Sequence, residues 1–209
     1  MTIRNLSRYT IETIVYRVLN KYSPECLKEA RQTPVENIME IGMGLNVEYH
    51  DLSSDGTILG CVTMQNNLVR VYDDFDFAGH EIGVDGGTVI ISNHLLNQRY
   101  LGRKNFTLGH EVGHWELHRN TGMLLTRCTD SIGSDKYKPK TDMEWVEWQA
   151  DCFASCLLMP ADTFKKAFLQ LKDRTFSLSG EPLIPYLAQI FEVSKQAAEI
   201  RARQLFLIS

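Results

Sequence analysis

The chain has 209 residues, 44% of them hydrophobic, which is enough to bury one good core and too many for a disordered segment. Its net charge of -4 gives no global attraction to nucleic acid or to an anionic membrane. No apolar run approaches the ~18 residues that span a bilayer. The five cysteines, an odd number without a C-x-x-C pair, argue against a disulfide framework, so a cytoplasmic protein is expected.

Ile11, Ile14, Val15, Val18, Leu19 and Tyr22 recur at helical spacing, which predicts an amphipathic helix ending before Pro24. The residues ahead of it, Met1-Thr2-Ile3-Arg4-Asn5, hold no signal-peptide core. Thr33-Pro34-Val35-Glu36 reads as a second helix start, with Thr33 as N-cap and Glu36 closing a capping box, and Gly42 and Gly44 stop it. Leu45, Val47 and Tyr49 alternate with polar residues, as in a half-buried strand.

After the turn Ser53-Ser54-Asp55-Gly56, residues 58–64 and 68–72 are expected to pair as an antiparallel hairpin across Gln65-Asn66-Asn67. Residues 88–92 add a third strand, so a small twisted sheet results. Asp73, Asp74, Asp76, His80 and Glu81 lack the spacing of a calcium loop and read as solvated turn residues. Residues 93–100 begin a short helix.

Next comes Leu108-Gly109-His110-Glu111-Val112-Gly113-His114-Trp115, on a helix expected to end near Asn120-Thr121-Gly122. Side chains four apart on a helix lie about 6 Å from each other, so His110 and His114 can reach one metal ion. Glu111 points about 100° around the axis, beside the metal, where a general base takes a proton from a bound water. A pair of histidines on a helix can also be a plain polar stripe, and a third ligand decides between the two. His118 suits that role poorly, lying about 12 Å beyond His110 along the axis, and it is better read as capping the helix end or facing the cleft. Leu117 occupies the glycine position of the longer H-E-x-x-H-x-x-G-x-x-H pattern.

Residues 121–142 are polar, with Gly133, Lys136, Lys138 and Lys140, and read as a loop over one side of the site. In the following helix, stopped by Pro160, Glu147 and Asp151 stand four apart among Ala, Phe, Leu and Met residues. Carboxylates on so apolar a helix need a partner or a metal, since a lone buried charge is costly. The economical assignment makes Glu147 the third zinc ligand and has Asp151 accept the free N–H of a ligand histidine, while the bland one leaves both on a solvent stripe. Cys152 and Cys156 read as small buried apolar groups rather than metal thiolates.

Residues 161–171 form a helix with Phe164, Ala167 and Phe168 inward. Residues 182–205 give helix, tight turn with Ser194 as N-cap, then helix, a helix-turn-helix pattern. Lys195, Arg201 and Arg203, set against Glu199, make too thin a basic face for independent DNA binding, so packing or partner docking is favoured.

Phe106-Thr107-Leu108-Gly109-His110-Glu111-Val112-Gly113-His114, followed by Glu147-x-x-Ala150-Asp151-x-Phe153-Ala154-x-x-Leu157-Leu158-Met159-Pro160, resembles the ImmA/IrrE-type zinc metallopeptidases. The second stretch is the more discriminating. Gly109 stands where alanine is usual and Gln149 where glutamate is frequent. The resemblance implies that His110, His114 and Glu147 hold zinc and that Glu111 is the base. A small twisted sheet followed by an H-E-x-x-H helix is the zincin order of elements, so an α+β, zincin-like metallopeptidase is expected over residues 1–160, with a helix-turn-helix-like segment, 161–209, packed on it.

The expected activity is that of a zinc-dependent endopeptidase, and the resemblance implies as substrate a helix-turn-helix repressor, cut to switch on genes of a mobile element or a stress response. Residues 88–92 are the expected edge strand for an extended substrate, and Tyr137, His118 and Tyr186 are candidates to steady the oxyanion. The competing reading is a non-hydrolytic regulatory module that binds a repressor or DNA through its C-terminal helices. Glu111 favours the enzyme, because a pure binding module has no need of a carboxylate beside its metal.

Overall fold

A computed structural model describes residues 4–73, 76–121, 125–128, 139–175 and 183–208. The opening helix, α1 (Arg8–Tyr22), forms where its apolar period predicts, capped by the Ser7 hydroxyl and burying Ile11, Val15, Val18 and Leu19.

The second helix departs from expectation because Thr33 is engaged elsewhere. Its hydroxyl donates to the Leu157 carbonyl at 2.9 Å, and Pro34 takes the N-cap position. Glu36 turns toward Tyr49 and Lys104 instead of closing a capping box. What remains is a short α2 (Val35–Asn37) that widens into a π-helical stretch, Ile38–Met43, and ends at Gly44 in the left-handed conformation, φ 70°.

Among the described residues six strands follow in two sheets: β1 (Asn46–Tyr49), β2 (Ile58–Val62), β3 (Asn67–Asp73), β4 (Asp76–Val84), β5 (Thr88–Ile91) and β6 (Leu125–Cys128). The larger sheet is mixed and has the order β1-β5-β2-β6, with β1 parallel to β5 and the other pairs antiparallel. The expected hairpin of residues 58–64 with 68–72 does not form. Leu59, Cys61 and Val62 are buried, so β2 sits between two neighbours, and β3, buried only at Val69 and Val71, pairs instead with β4. The acidic stretch read as a turn is therefore largely strand, with Arg70 opposite Glu81; Asp74 lies outside the described residues.

Residues 88–92 are not an edge. Every residue of β5 is buried, and β1 and β2 take its two sides. Among the described residues the edges of the larger sheet are β1 and β6, and β6 was hidden in the sequence by its polar surroundings. Residues 93–100 form two 3-10 turns, Asn93–Leu96 and Gln98–Tyr100, in place of a short helix.

Helix α3 (Leu101–His118) packs on β2 and β5 of this sheet, and α4 (Asp142–Leu158), which packs on α3 and α1, starts with a capping box made by Thr141 and Glu144. Then come α5 (Ala161–Thr175), α6 (Leu183–Ile190) and α7 (Lys195–Gln204), with Ser194 capping α7 as expected. Val89 and Ile91 join the main core with residues of α1 and α3–α7, whereas Cys61 and Ile90 face the β3–β4 hairpin. The fold is thus α+β, and among the described residues no helix is long and apolar enough to cross a membrane.

The last helices are tied into this core. Gly102 of α3 lies so close to the α6–α7 turn that a Cβ there would be 2.5 Å from the Val193 carbonyl carbon. The Asn105 side chain donates to the Glu192 carbonyl at 2.9 Å. Arg201, fully buried, donates from Nε to the Met159 carbonyl at 3.0 Å and from Nη2 to Glu12 at 2.9 Å. That contact withdraws Arg201 from the basic face assigned to it from sequence.

Candidate active site

The site exists because α3 and α4 approach unusually closely, and small residues allow that approach. A Cβ on Gly113 would lie 3.0 Å from Phe153 Cβ and 3.1 Å from the Ala150 backbone, and one on Gly109 3.3 Å from Ala154 Cβ. With so little between the helix axes, a side chain from α4 reaches the histidines of α3.

His110, His114 and Glu147 are the residues brought together: one ligand atom from each lies within 4.8 Å of the others. The two Nε2 atoms are 2.8 Å apart, and Glu147 reaches His110 Nε2 at 3.2 Å and His114 Nε2 at 3.5 Å. Both rings are buried. Tetrahedral zinc with bonds of about 2.0–2.1 Å separates its ligand atoms by roughly 3.3 Å, so two imidazoles and a carboxylate at these spacings fit such an ion.

Asp151, one turn beyond Glu147, accepts from His110 Nδ1 at 2.9 Å. A carboxylate only accepts, so the proton sits on Nδ1 and the Nε2 lone pair is left facing the cluster. Burial, reinforced by the neighbouring His110 imidazole, pushes His114 down to about 4. Burial raises Glu147, but the His110 and His114 imidazoles beside it outweigh that and hold the carboxyl well below the usual range. At neutral pH this leaves a neutral His114 and an ionised Glu147, the forms a metal needs.

Glu111 is fully buried and stands outside the three-residue cluster. Its carboxylate lies over β2, where a Cβ on Gly60 would meet Glu111 Oε1 at 2.9 Å. Gly60 is a site residue that the sequence reading missed, since nothing local marks a glycine whose neighbour comes from another element.

His118 neither caps the helix nor faces an open cleft. It is buried, with Nδ1 3.2 Å from His114 Nδ1, which turns its ring toward the back of His114 and away from the oxyanion role considered for it. Burial pushes it down to about 4, opposed by the Gln149 carboxamide beside it. The repeat 110, 114, 118 was the available signal for this contact; Gln149 gave none. Tyr186 sits partly exposed on α6, and Tyr137 lies outside the described residues. Cys152 and Cys156 are buried and free, apart from the cluster.

A family model described as the IrrE N-terminal-like domain, peptidase M78, matches residues 69–203. The match covers more than half of the chain and includes both helices of the site. The chain belongs to this family. A comparison with curated proteins returns no match.

Proposed function

We propose that this peptidase M78 family member is a zinc-dependent endopeptidase of zincin-like build, with His110, His114 and Glu147 as metal ligands, Asp151 orienting His110 and Glu111 as general base. The observation that carries the reading is the convergence of two buried imidazoles with a carboxylate from a separate helix. Bound there, zinc supplies a water of pKa near about 7 and polarisation of the scissile carbonyl.

The chain's own residues do the rest. Glu111, one position past the first ligand, takes the proton of the attacking water and delivers it to the leaving amine. Its burial excludes competing solvent. Among the described residues the outer edge of β6 carries no strand, and on its inner side β6 places Arg127 opposite Gly60, the residue beneath Glu111. An extended substrate segment pairs with that edge, taking the part first given to residues 88–92.

Residues 1–160 form the metallopeptidase unit, and 161–209 a helical segment, helix-turn-helix-like in its last two helices, that packs on it. Direct DNA reading by α7 is disfavoured, since burial of Arg201 leaves Lys195 and Arg203 as its outward basic residues. The protein acts in the cytoplasm, and its substrate is a helix-turn-helix transcriptional repressor whose cleavage derepresses mobile-element or stress genes.

The test is incubation of zinc-loaded protein with the repressor encoded beside it, followed by mass spectrometry of the fragments. A single cut is expected, with Glu111→Gln keeping zinc but leaving the repressor whole and Glu147→Ala losing stoichiometric zinc. An intact repressor with the unaltered enzyme overturns the substrate assignment. Unchanged metal content in Glu147→Ala overturns the ligand set.

A further inference from the structure

Behind the histidine pair, two buried polar atoms lack a hydrogen-bond partner among the described residues: His118 Nε2 and Gln149 Oε1. One can donate and the other can only accept. The side chains that carry them are buried, and the Gln149 carboxamide stands against the His118 ring.

The tautomers follow from either end of this group. If His114 presents its Nε2 lone pair to a metal, its proton must sit on Nδ1, and the atom facing Nδ1 at 3.2 Å is His118 Nδ1. His118 Nδ1 then accepts, which places the His118 proton on Nε2. At the far end, Gln149 Nε2 donates to the Arg4 carbonyl at 3.0 Å, and because a carbonyl only accepts, the amide orientation is determined and Oε1 is left as acceptor. The two orphaned atoms therefore complement each other.

We propose that His118 and Gln149 are positioning residues that form a relay from the Arg4 carbonyl to His114, fixing the tautomer and ring orientation of that ligand as Asp151 does for His110. The two ligands are supported differently: His110 by an anion, His114 by a chain of neutral groups anchored on the segment that precedes α1. This inference rests on the zinc reading above.

The experiment measures zinc affinity of the full chain by competition with a chromophoric chelator, together with the visible spectrum of the cobalt-substituted protein. Gln149→Leu and His118→Ala should each weaken zinc about 10- to 100-fold and shift the cobalt bands. Gln149→Glu, which keeps an acceptor toward His118 at nearly the same volume but gives up the donor to the Arg4 carbonyl, should weaken zinc clearly less than Gln149→Leu. Leu and Glu variants at 149 differ little in size, so a folding defect alone does not separate them, and their far-UV circular dichroism is compared directly.

The double variant His118→Ala with Gln149→Leu should lose no more than either single change, as expected for parts of one chain. If both single variants bind zinc within about twofold of the unaltered protein while His114→Ala binds none, the relay is overturned and the metal site stands. If the unaltered protein binds no zinc, the metal reading falls and takes the relay with it.

Discussion

Glu111 occupies the space that a side chain at position 60 would need, since a Cβ there would also lie 2.8 Å from Thr107 Cγ2. Gly60→Ala should therefore displace Glu111, the proposed base, without touching His110, His114 or Glu147. Displacements of about 1 Å cost catalysis on the order of a hundredfold, so cleavage should fall by roughly that factor with zinc content unchanged, measured by fragment yield and metal analysis. Equal turnover in the variant would separate Glu111 from the chemistry. At this scale the sequence spoke clearly where chemistry is expensive. His110 and His114 follow from the helical period, and Glu147 and Asp151 from the cost of carboxylates on an apolar helix. Gln149, Gly60 and Thr33 were silent, because a neutral amide, a glycine or a hydroxyl is tolerated almost anywhere and gains meaning only from a neighbour far along the chain.

The closeness of α3 and α4 is the next determinant. Gly113→Ala must push against the Ala150 backbone, which cannot rotate away, and should cost about 1–3 kcal/mol in urea denaturation while lowering zinc occupancy as Glu147 is carried off with α4. Gly109→Ala meets Ala154 at 3.3 Å and should be far milder. A second contrast lies at α7. Removing the buried guanidinium in Arg201→Ala leaves the Met159 carbonyl and Glu12 unmatched and should cost about 3 kcal/mol, whereas Arg203→Ala breaks an exposed pair with Glu199 and should cost less than about 1 kcal/mol. Among the elements, α1, α3, α4 and the last two helices were legible from periodicity and caps. Strand partners were not: a run of alternating residues identifies a strand without naming its neighbour, so β2 was matched to β3 across a short linker although burial of its residues required two other partners.

The main apolar core joins α1, α3 and α4 to the later part of the chain, with Phe164, Phe168 and Leu187 of α5 and α6 and Phe191 of the α6–α7 turn packed in the same cluster as Ile11, Val112 and Phe153. A ligand that bridges α3 and α4 therefore stabilises the entire fold rather than a local patch. At a free concentration a hundredfold above Kd, zinc should add about 2.7 kcal/mol, which for a chain of this size raises Tm by roughly 5–10 °C. Calorimetry with and without chelator measures it, and an unchanged Tm would mean that the three ligand side chains bind no ion in the folded state. The α+β class was readable from the order of helical and extended patterns. Which sheet face carries helices and which the hairpin was not, since that depends on contacts between distant segments.

The ion pair between Glu12 and Arg201 joins positions 189 residues apart. A ribosome makes the first partner long before the second, so α1 waits until α7 has emerged for the guanidinium that completes its packing. The contact that seals α1 is thus made only after α3 and α4 have themselves emerged.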